Sequence, residues 1–325
     1  VVRRPWSDLN GNLRLDPGEF TFAGFAGVFP TFDSDADRPF SDEFNVGVDH
    51  TLRQNLAISI SYHRRHHRNG LAIIDRARPA SAYSPIIRPY VDAVTGPQTI
   101  TIYSLDPTLV NVRDRIITNV DILESDYNGM QLHVTKRMSS RWQLLGGLTL
   151  QKHEGFVHSG TFTNPGTQTD LNNPNYRLNR DNAAVFTDVP WIVTFSGSYQ
   201  LPYDVLFSAK YGLSDGAPLD REMSVSGLAQ TEPAGAIRVA RRGDDRSDVV
   251  NRFVDVRFRK SFSVNGYRIE GTLDVFNLLN ANHVLLLNER IGTSSAAGFT
   301  RSDAYAVPTR ILTPRIVRFG VRIGF

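Results

Sequence analysis

The segment "DLNGNLRLDPGE", Asp8–Glu19, sets oxygen-bearing side chains at intervals that suit a hard cation. Asp8, Asn10, Asn12, Asp16 and Glu19 fall at positions 1, 3, 5, 9 and 12 of an EF-hand-like loop, and Arg14 would supply its backbone carbonyl. Leu13 stands where the sharp turn asks for glycine, and a left-handed non-glycine residue costs roughly 1–2 kcal/mol. No helical pattern flanks the loop. The same residues can also close on one another as an Asx-type acidic turn. Calcium and the self-bonded turn both stay open, and Ca2+ is the one cofactor the sequence suggests.

A second cluster is "HRRHHRNG", His63–Gly70. Its chemistry would be metal capture or a grip on lipopolysaccharide phosphates, for which arginine is suited. In a strand, neighbouring histidines turn to opposite faces, which weakens a metal site. A solvated basic rim is the plainer account. "RVARRGDDRSD" (Arg238–Asp248) reads as a solvated loop in the same way. No nucleophile elbow, "HExxH" or glycine-rich phosphate loop occurs, so no enzyme is expected.

Bulk properties narrow the class. With 36 Lys+Arg against 33 Asp+Glu the net charge is +3, too balanced for an electrostatic nucleic-acid binder. The absence of cysteine excludes a disulfide framework or a thiolate metal site. No run of about 18 apolar residues exists to make a spanning helix. The opening "VVRRPWSDLNGN" has neither an initiator Met nor a signal-like segment, so a piece lacking its N-terminal part is expected.

The elements that would carry these residues are strands. In "PRIVRFGVRIGF", Val317, Phe319, Val321, Ile323 and Phe325 share one face, while Arg318, Gly320, Arg322 and Gly324 share the other. The same alternation sets Trp191, Val193, Phe195 and Tyr199 against Thr194, Ser196, Ser198 and Gln200. It sets Met130, Leu132 and Val134 against Gln131, His133 and Thr135, and Val254, Val256 and Phe258 against Asp255, Arg257 and Arg259. Nine strands follow, at roughly 42–52, 55–64, 127–137, 141–152, 190–201, 204–214, 249–261, 266–276 and 314–325.

Their spacing points to a membrane. Very short links alternate with long ones (65–126, 153–189, 215–248 and 277–313), as periplasmic turns alternate with extracellular loops in an outer-membrane barrel. Arg or Lys on the lipid face near the midplane costs roughly 2–4 kcal/mol, so Arg318 and Arg322 should face the lumen. Trp142, Tyr199 and Tyr267 near one end, and Tyr127 and Trp191 near the other, suggest two aromatic girdles. Lumenal Arg257, Arg259, Glu270 and Asp274 are expected to pair across neighbouring strands. The reading is all-β: an antiparallel transmembrane β-barrel segment over 38–325, with 1–37 an extracellular loop segment. An odd strand count leaves at least one upstream strand to be supplied.

"LDVFNLLNANHV" (Leu273–Val284), "YNGMQLHVTKRMSSRWQLLGGLTLQK" and "PRIVRFGVRIGF" together resemble the C-terminal barrel half of TonB-dependent outer-membrane receptors, Oar-like members above all. Those members carry a carboxypeptidase-regulatory-like domain ahead of a plug. The resemblance implies a 22-stranded barrel, a plug, and uptake of a large or scarce solute such as a siderophore, glycan or peptide. It also implies a TonB complex engaged through the missing N-terminal part, outer-membrane lipid and lipopolysaccharide as surroundings, and a barrel assembly machinery that reads the last strand. Phe319, Val321, Ile323 and Phe325 match that terminal signal. An adhesion, secretion or scaffolding barrel is the alternative, and a barrel-embedded hydrolase a more distant one.

Overall fold

A computed structural model of the chain describes residues 11–12, 30–156, 171–185, 187–230, 236–247 and 251–324. Its main feature is one antiparallel sheet of nine long strands lying in sequence order. They are Phe40–Arg53 (β1), Leu56–Arg68 (β2), Ser125–Ser139 (β3), Trp142–Gly155 (β4), Trp191–Gln200 (β5), Val205–Ser214 (β6), Asn251–Val264 (β7), Tyr267–Phe276 (β8) and Ile316–Gly324 (β9). All nine expected strands form. The structure lengthens β1 to β4 at their long-link ends, where each gains a few residues beyond the alternating core.

Short turns join the strands in pairs, and their backbones explain their brevity. Asn265 and Gly266 between β7 and β8 both have positive φ (50° and 84°), the conformation a two-residue hairpin turn requires. Ser140 and Arg141 between β3 and β4 adopt the same form (49° and 71°) without a glycine. Each such turn pins the register, and a slip of one residue would exchange the two faces.

The register gathers side chains into rows across the sheet. Trp142, Tyr199, Phe207, Phe258, Leu273 and Phe319 lie in one such row on the apolar face. The rings of Phe207 and Phe258 are 5.1 Å apart. On β9, Phe319 and Val321 are 77% and 74% exposed, far outside the range of a packed core. A face this apolar and this uncovered is built for a non-aqueous surrounding. Tyr127 departs from the girdle expectation. It shares the parity of Gln131 and His133, and stands beside His153 in an edge-to-face contact (5.6 Å) on the polar face.

The long links, read from sequence as loops, contain sheets of their own. Thr31–Phe32, Arg115–Asn119 and Leu71–Asp75 form a three-stranded sheet, and Tyr83–Asp92 pairs with Gly96–Leu105. A four-stranded sheet joins Ala236–Arg238, Glu222–Val225, Arg290–Ser295 and Gly298–Arg301. Tyr90, Ile102, Met223, Ile237 and Ile291 make a buried cluster between them, so three separate links share one core. A buried ion pair ties two of the same links together, and further pairs form within 215–248. Arg221 bonds Asp92 (2.5 Å) and Asp245 (2.6 Å), and Arg238 meets Asp220 at 2.9 Å. Burial, and then the neighbouring Arg180, lower the Arg238 guanidinium to about 10, which keeps it charged at neutral pH. The long-link end of the sheet therefore carries a folded cap.

Two outcomes follow. Phe319→Arg should cost roughly 2–4 kcal/mol in a lipid-vesicle unfolding titration, whereas Thr272→Arg on the opposite face should cost little. The second concerns acid. Burial alone would raise the Asp92 carboxyl, but the N–H groups of Thr95 and Val94 and the Arg221 guanidinium outweigh it and hold it below its ordinary value. A lowered carboxyl stabilises the fold above its unfolded value, about 3.9, and that stabilisation is lost as pH falls through the lower folded value. Pepsin should thus begin to cut the cap only below about pH 4, and Asp92→Asn should allow cutting at every pepsin-active pH.

Candidate functional site

The polar face of the sheet is where the chain's chemistry collects. Strand alternation puts Gln143, Ser198, Ser208, Arg257, Asp274 and Arg318 into a single row crossing six strands. Hydrogen bonds run along it. Gln143 Nε2 donates to Ser198 Oγ (3.5 Å), and the hydroxyls of Ser198 and Ser208 are 2.8 Å apart. Asp274 then serves as a hub between two guanidinium groups. It accepts from Arg257 Nε (2.5 Å) and Nη2 (3.2 Å) on β7 and from Arg318 Nε (2.9 Å) on β9. Its carboxylate is buried while both arginines stay about half exposed.

Pairing across strands is therefore the role of these charges, as expected from their opposite signs. Arg259 and Glu270 make a looser, diagonal pair at 3.6 Å, nearer the short turns. A cavity of about 660 Å³ opens on the row, between Thr135, Gln143, Ser196, Lys210 and Asp274. The surface presents hydroxyls, an amide and charges of both signs, among them Lys210, Asp255, Arg257 and Asp274. Phe253 lies over the bare backbone of Gly212, and the Lys210 ammonium stands 5.3 Å from that ring.

The expected site residues are distributed as follows. Asp8, Asn10, Asp16 and Glu19 lie outside the described residues, and Asn12 is exposed in a bend. His63 and His67 share the polar face, while His66 turns to the other face and bonds Asp126 at 2.7 Å. Among the described residues no three His, Asp or Glu side chains stand ready to hold a metal. Phe319, Val321 and Ile323 stand exposed on the apolar face of β9, and Phe325 lies outside the described residues. Sequence reasoning missed the hydroxyl part of the row, because Ser198 and Ser208 gain meaning only once the register sets them side by side.

The hub makes a direct prediction. Asp274→Ala removes the partner of two guanidinium groups and should destabilise the wall by about 1–2 kcal/mol, since exposed arginines are partly screened by solvent. Urea midpoints with and without added salt would measure it, and the loss should shrink as salt rises.

Residues 9–211 match the family of the outer membrane beta barrel domain. No curated protein matches the chain. Among solved structures, the outer membrane transporter YddB from Escherichia coli aligns with a TM-score of 0.49 at 11% identity, over 88% of this chain and 33% of that one. The FrpB iron transporter from Neisseria meningitidis gives 0.43 at 12%, over 90% and 32%. The ferric-catecholate import receptor Fiu from Escherichia coli K12 gives 0.42 at 13%, over 90% and 28%. The chain spans about a third of the length of these structures. With a family match that covers more than half of its residues and a sheet sorted into an uncovered apolar face and a hydrogen-bonded polar one, the chain belongs to the outer membrane β-barrel domain family and is part of a barrel wall in the outer membrane.

Proposed function

We propose that this wall belongs to a TonB-dependent receptor that takes up a scarce or large solute from outside the cell. One observation carries the reading: the cap that three long links build at the extracellular end of a polar lumenal face. A simple diffusion pore gains nothing from buried ion pairs and a hydrophobic core outside the membrane. A receptor that must recognise a solute before admitting it does gain from an ordered outer surface. The resemblance of "LDVFNLLNANHV" and "PRIVRFGVRIGF" to such receptors supports the same assignment.

In this reading residues 1–37 extend the extracellular layer, where Asp8, Asn10, Asn12, Asp16 and Glu19 would hold calcium. Lipid and lipopolysaccharide surround the wall. Phe319, Val321 and Ile323, with Phe325, would form the signal read by the barrel assembly machinery. The lumenal row with its Asp274 hub would border the route the solute takes.

Energised uptake separates this function from adhesion or scaffolding. Cells producing the complete gene product should exchange a growth-limiting solute with the medium in a manner that stops when the TonB complex is deleted. If deletion of TonB leaves accumulation of every growth-limiting solute unchanged while surface attachment is lost with the barrel, the receptor reading fails.

A further inference from the structure

A second cavity, of about 450 Å³, lies on the lumenal face at the extracellular ends of β1 to β4. Glu43, Arg65, Tyr127 and His153 form one row of its wall, with Asn45 and His63 in the row below. His67 stands in the row above, its Nδ1 2.5 Å from Ser41 Oγ. Thr187 closes the side next to His153, with its hydroxyl 3.4 Å from Nδ1. Arg64 borders the cavity as well, from the other parity of β2. Just below this level the lipid side changes from Tyr62, Met130, Leu150 and Trp191 to Arg64, Asn128 and Lys152. The pocket therefore stands above the hydrocarbon.

Charge selects the ligand class. Among the described residues, Arg64, Arg65, His63, His67 and His153 carry or can take a positive charge, against the single carboxylate of Glu43. Glu43 meets Arg65 through Nε at 2.7 Å, one contact for a guanidinium that has five N–H donors. Two of the imidazoles are held on the neutral side. Burial, then Arg65, pushes His67 below the usual histidine range, with a further push from His66, and Glu43 only partly opposes it. Burial, then His67, does the same at His153, with Arg65 adding to it and Asp188 opposing. That Asp188 is already engaged by Arg246 and by the His153 backbone N–H (2.7 Å). Asp126 and Glu124 are spent on His66, at 2.7 and 3.8 Å. Arg65, His67 and His153 thus repel a proton from one another, and an anion seated among them would remove that repulsion. Guanidinium, imidazolium and the hydroxyls of Tyr127 and Thr187 all donate to oxygen, which suits an oxyanion. A metal cation would meet the opposite field, and among the described residues no three His, Asp or Glu side chains stand ready to hold one.

We propose that this pocket binds an oxyanion group of the solute, phosphate or carboxylate, and takes up a proton from water onto His67 or His153 as it does so. That the anion belongs to a solute rests on the receptor reading above, yet the test does not depend on transport. The complete protein in detergent would be titrated calorimetrically at constant ionic strength across the histidine range, about pH 6 to about pH 8. Sulfate would stand in for a phosphate group and oxalate for carboxylates, since neither gains a proton there, and two buffers of different ionisation enthalpy would report the proton. At least one anion should bind saturably, sulfate alone marking a phosphate-like group and oxalate alone a carboxylate. The protonated imidazole favours the anion, so affinity should fall as pH rises, by up to about tenfold per pH unit for one proton. Arg65→Gln should weaken binding by about tenfold or more, the loss of a charged hydrogen-bond donor. His67→Gln and His153→Gln combined should flatten the pH profile and abolish the buffer-dependent heat. Lys152→Gln, on the lipid side, should change nothing, and heat-modified gel migration would establish that each variant keeps its barrel. Failure of both anions to saturate, affinity constant across the pH range, binding indifferent to Arg65→Gln, or a pH profile that survives loss of both imidazoles would overturn the proposal. TonB-dependent uptake alongside any of those results would leave the receptor reading standing and remove the anion site alone. The site upheld in a protein whose solute accumulation ignores TonB would remove the receptor instead.

Discussion

A strand that crosses lipid must satisfy its backbone groups through its neighbours, and its side chains can then face only two ways. Every other feature of this chain depends on that constraint. Once the register is set, residues of one parity meet hydrocarbon and residues of the other meet water. The row from Trp142 to Phe319 and the row from Gln143 to Arg318 are two sides of the same six strands, one register step apart. Asp274 can pair with Arg257 and Arg318 only because all three share the wet side. Placed one residue along, the same three charges would each stand in lipid.

The constraint also explains why so much of the wall was legible. Alternation is a local signal, and a face exposed to lipid tolerates few exceptions to it. Val317, Phe319, Val321 and Ile323 announce β9 without reference to any other part of the chain. The charge pairs were readable for the same reason, since Arg257 and Asp274 sit at matching parities on adjacent strands. Tyr127 was misplaced by attention to its position along the strand. Its parity, shared with Gln131, already assigned it to the lumen.

What escaped the sequence was structure that depends on distant partners. The cap strands Tyr83–Asp92 and Gly96–Leu105 contain Pro85, Pro89 and Pro97, which obscure a strand pattern. Their core partners Met223, Ile237 and Ile291 come from two other links and carry no local mark of that role. The pocket near His63 is similar. Reading "HRRHHRNG" alone separates adjacent histidines, and the structure bears that out for His66 and His67. His153, however, arrives from β4 and Tyr127 from β3, and only the register of three hairpin strands brings them beside His63.

Cysteine scanning tests the sorting of faces most directly, because the chain has no native cysteine to interfere. Single substitutions Phe319→Cys, Val321→Cys, Arg318→Cys and Gly320→Cys on β9 would be labelled with an environment-sensitive dye in lipid vesicles and quenched in turn by brominated lipid and by a water-soluble ion. The account predicts lipid quenching at positions 319 and 321 and aqueous quenching at 318 and 320. Equal quenching at all four positions, or the opposite alternation, would contradict it.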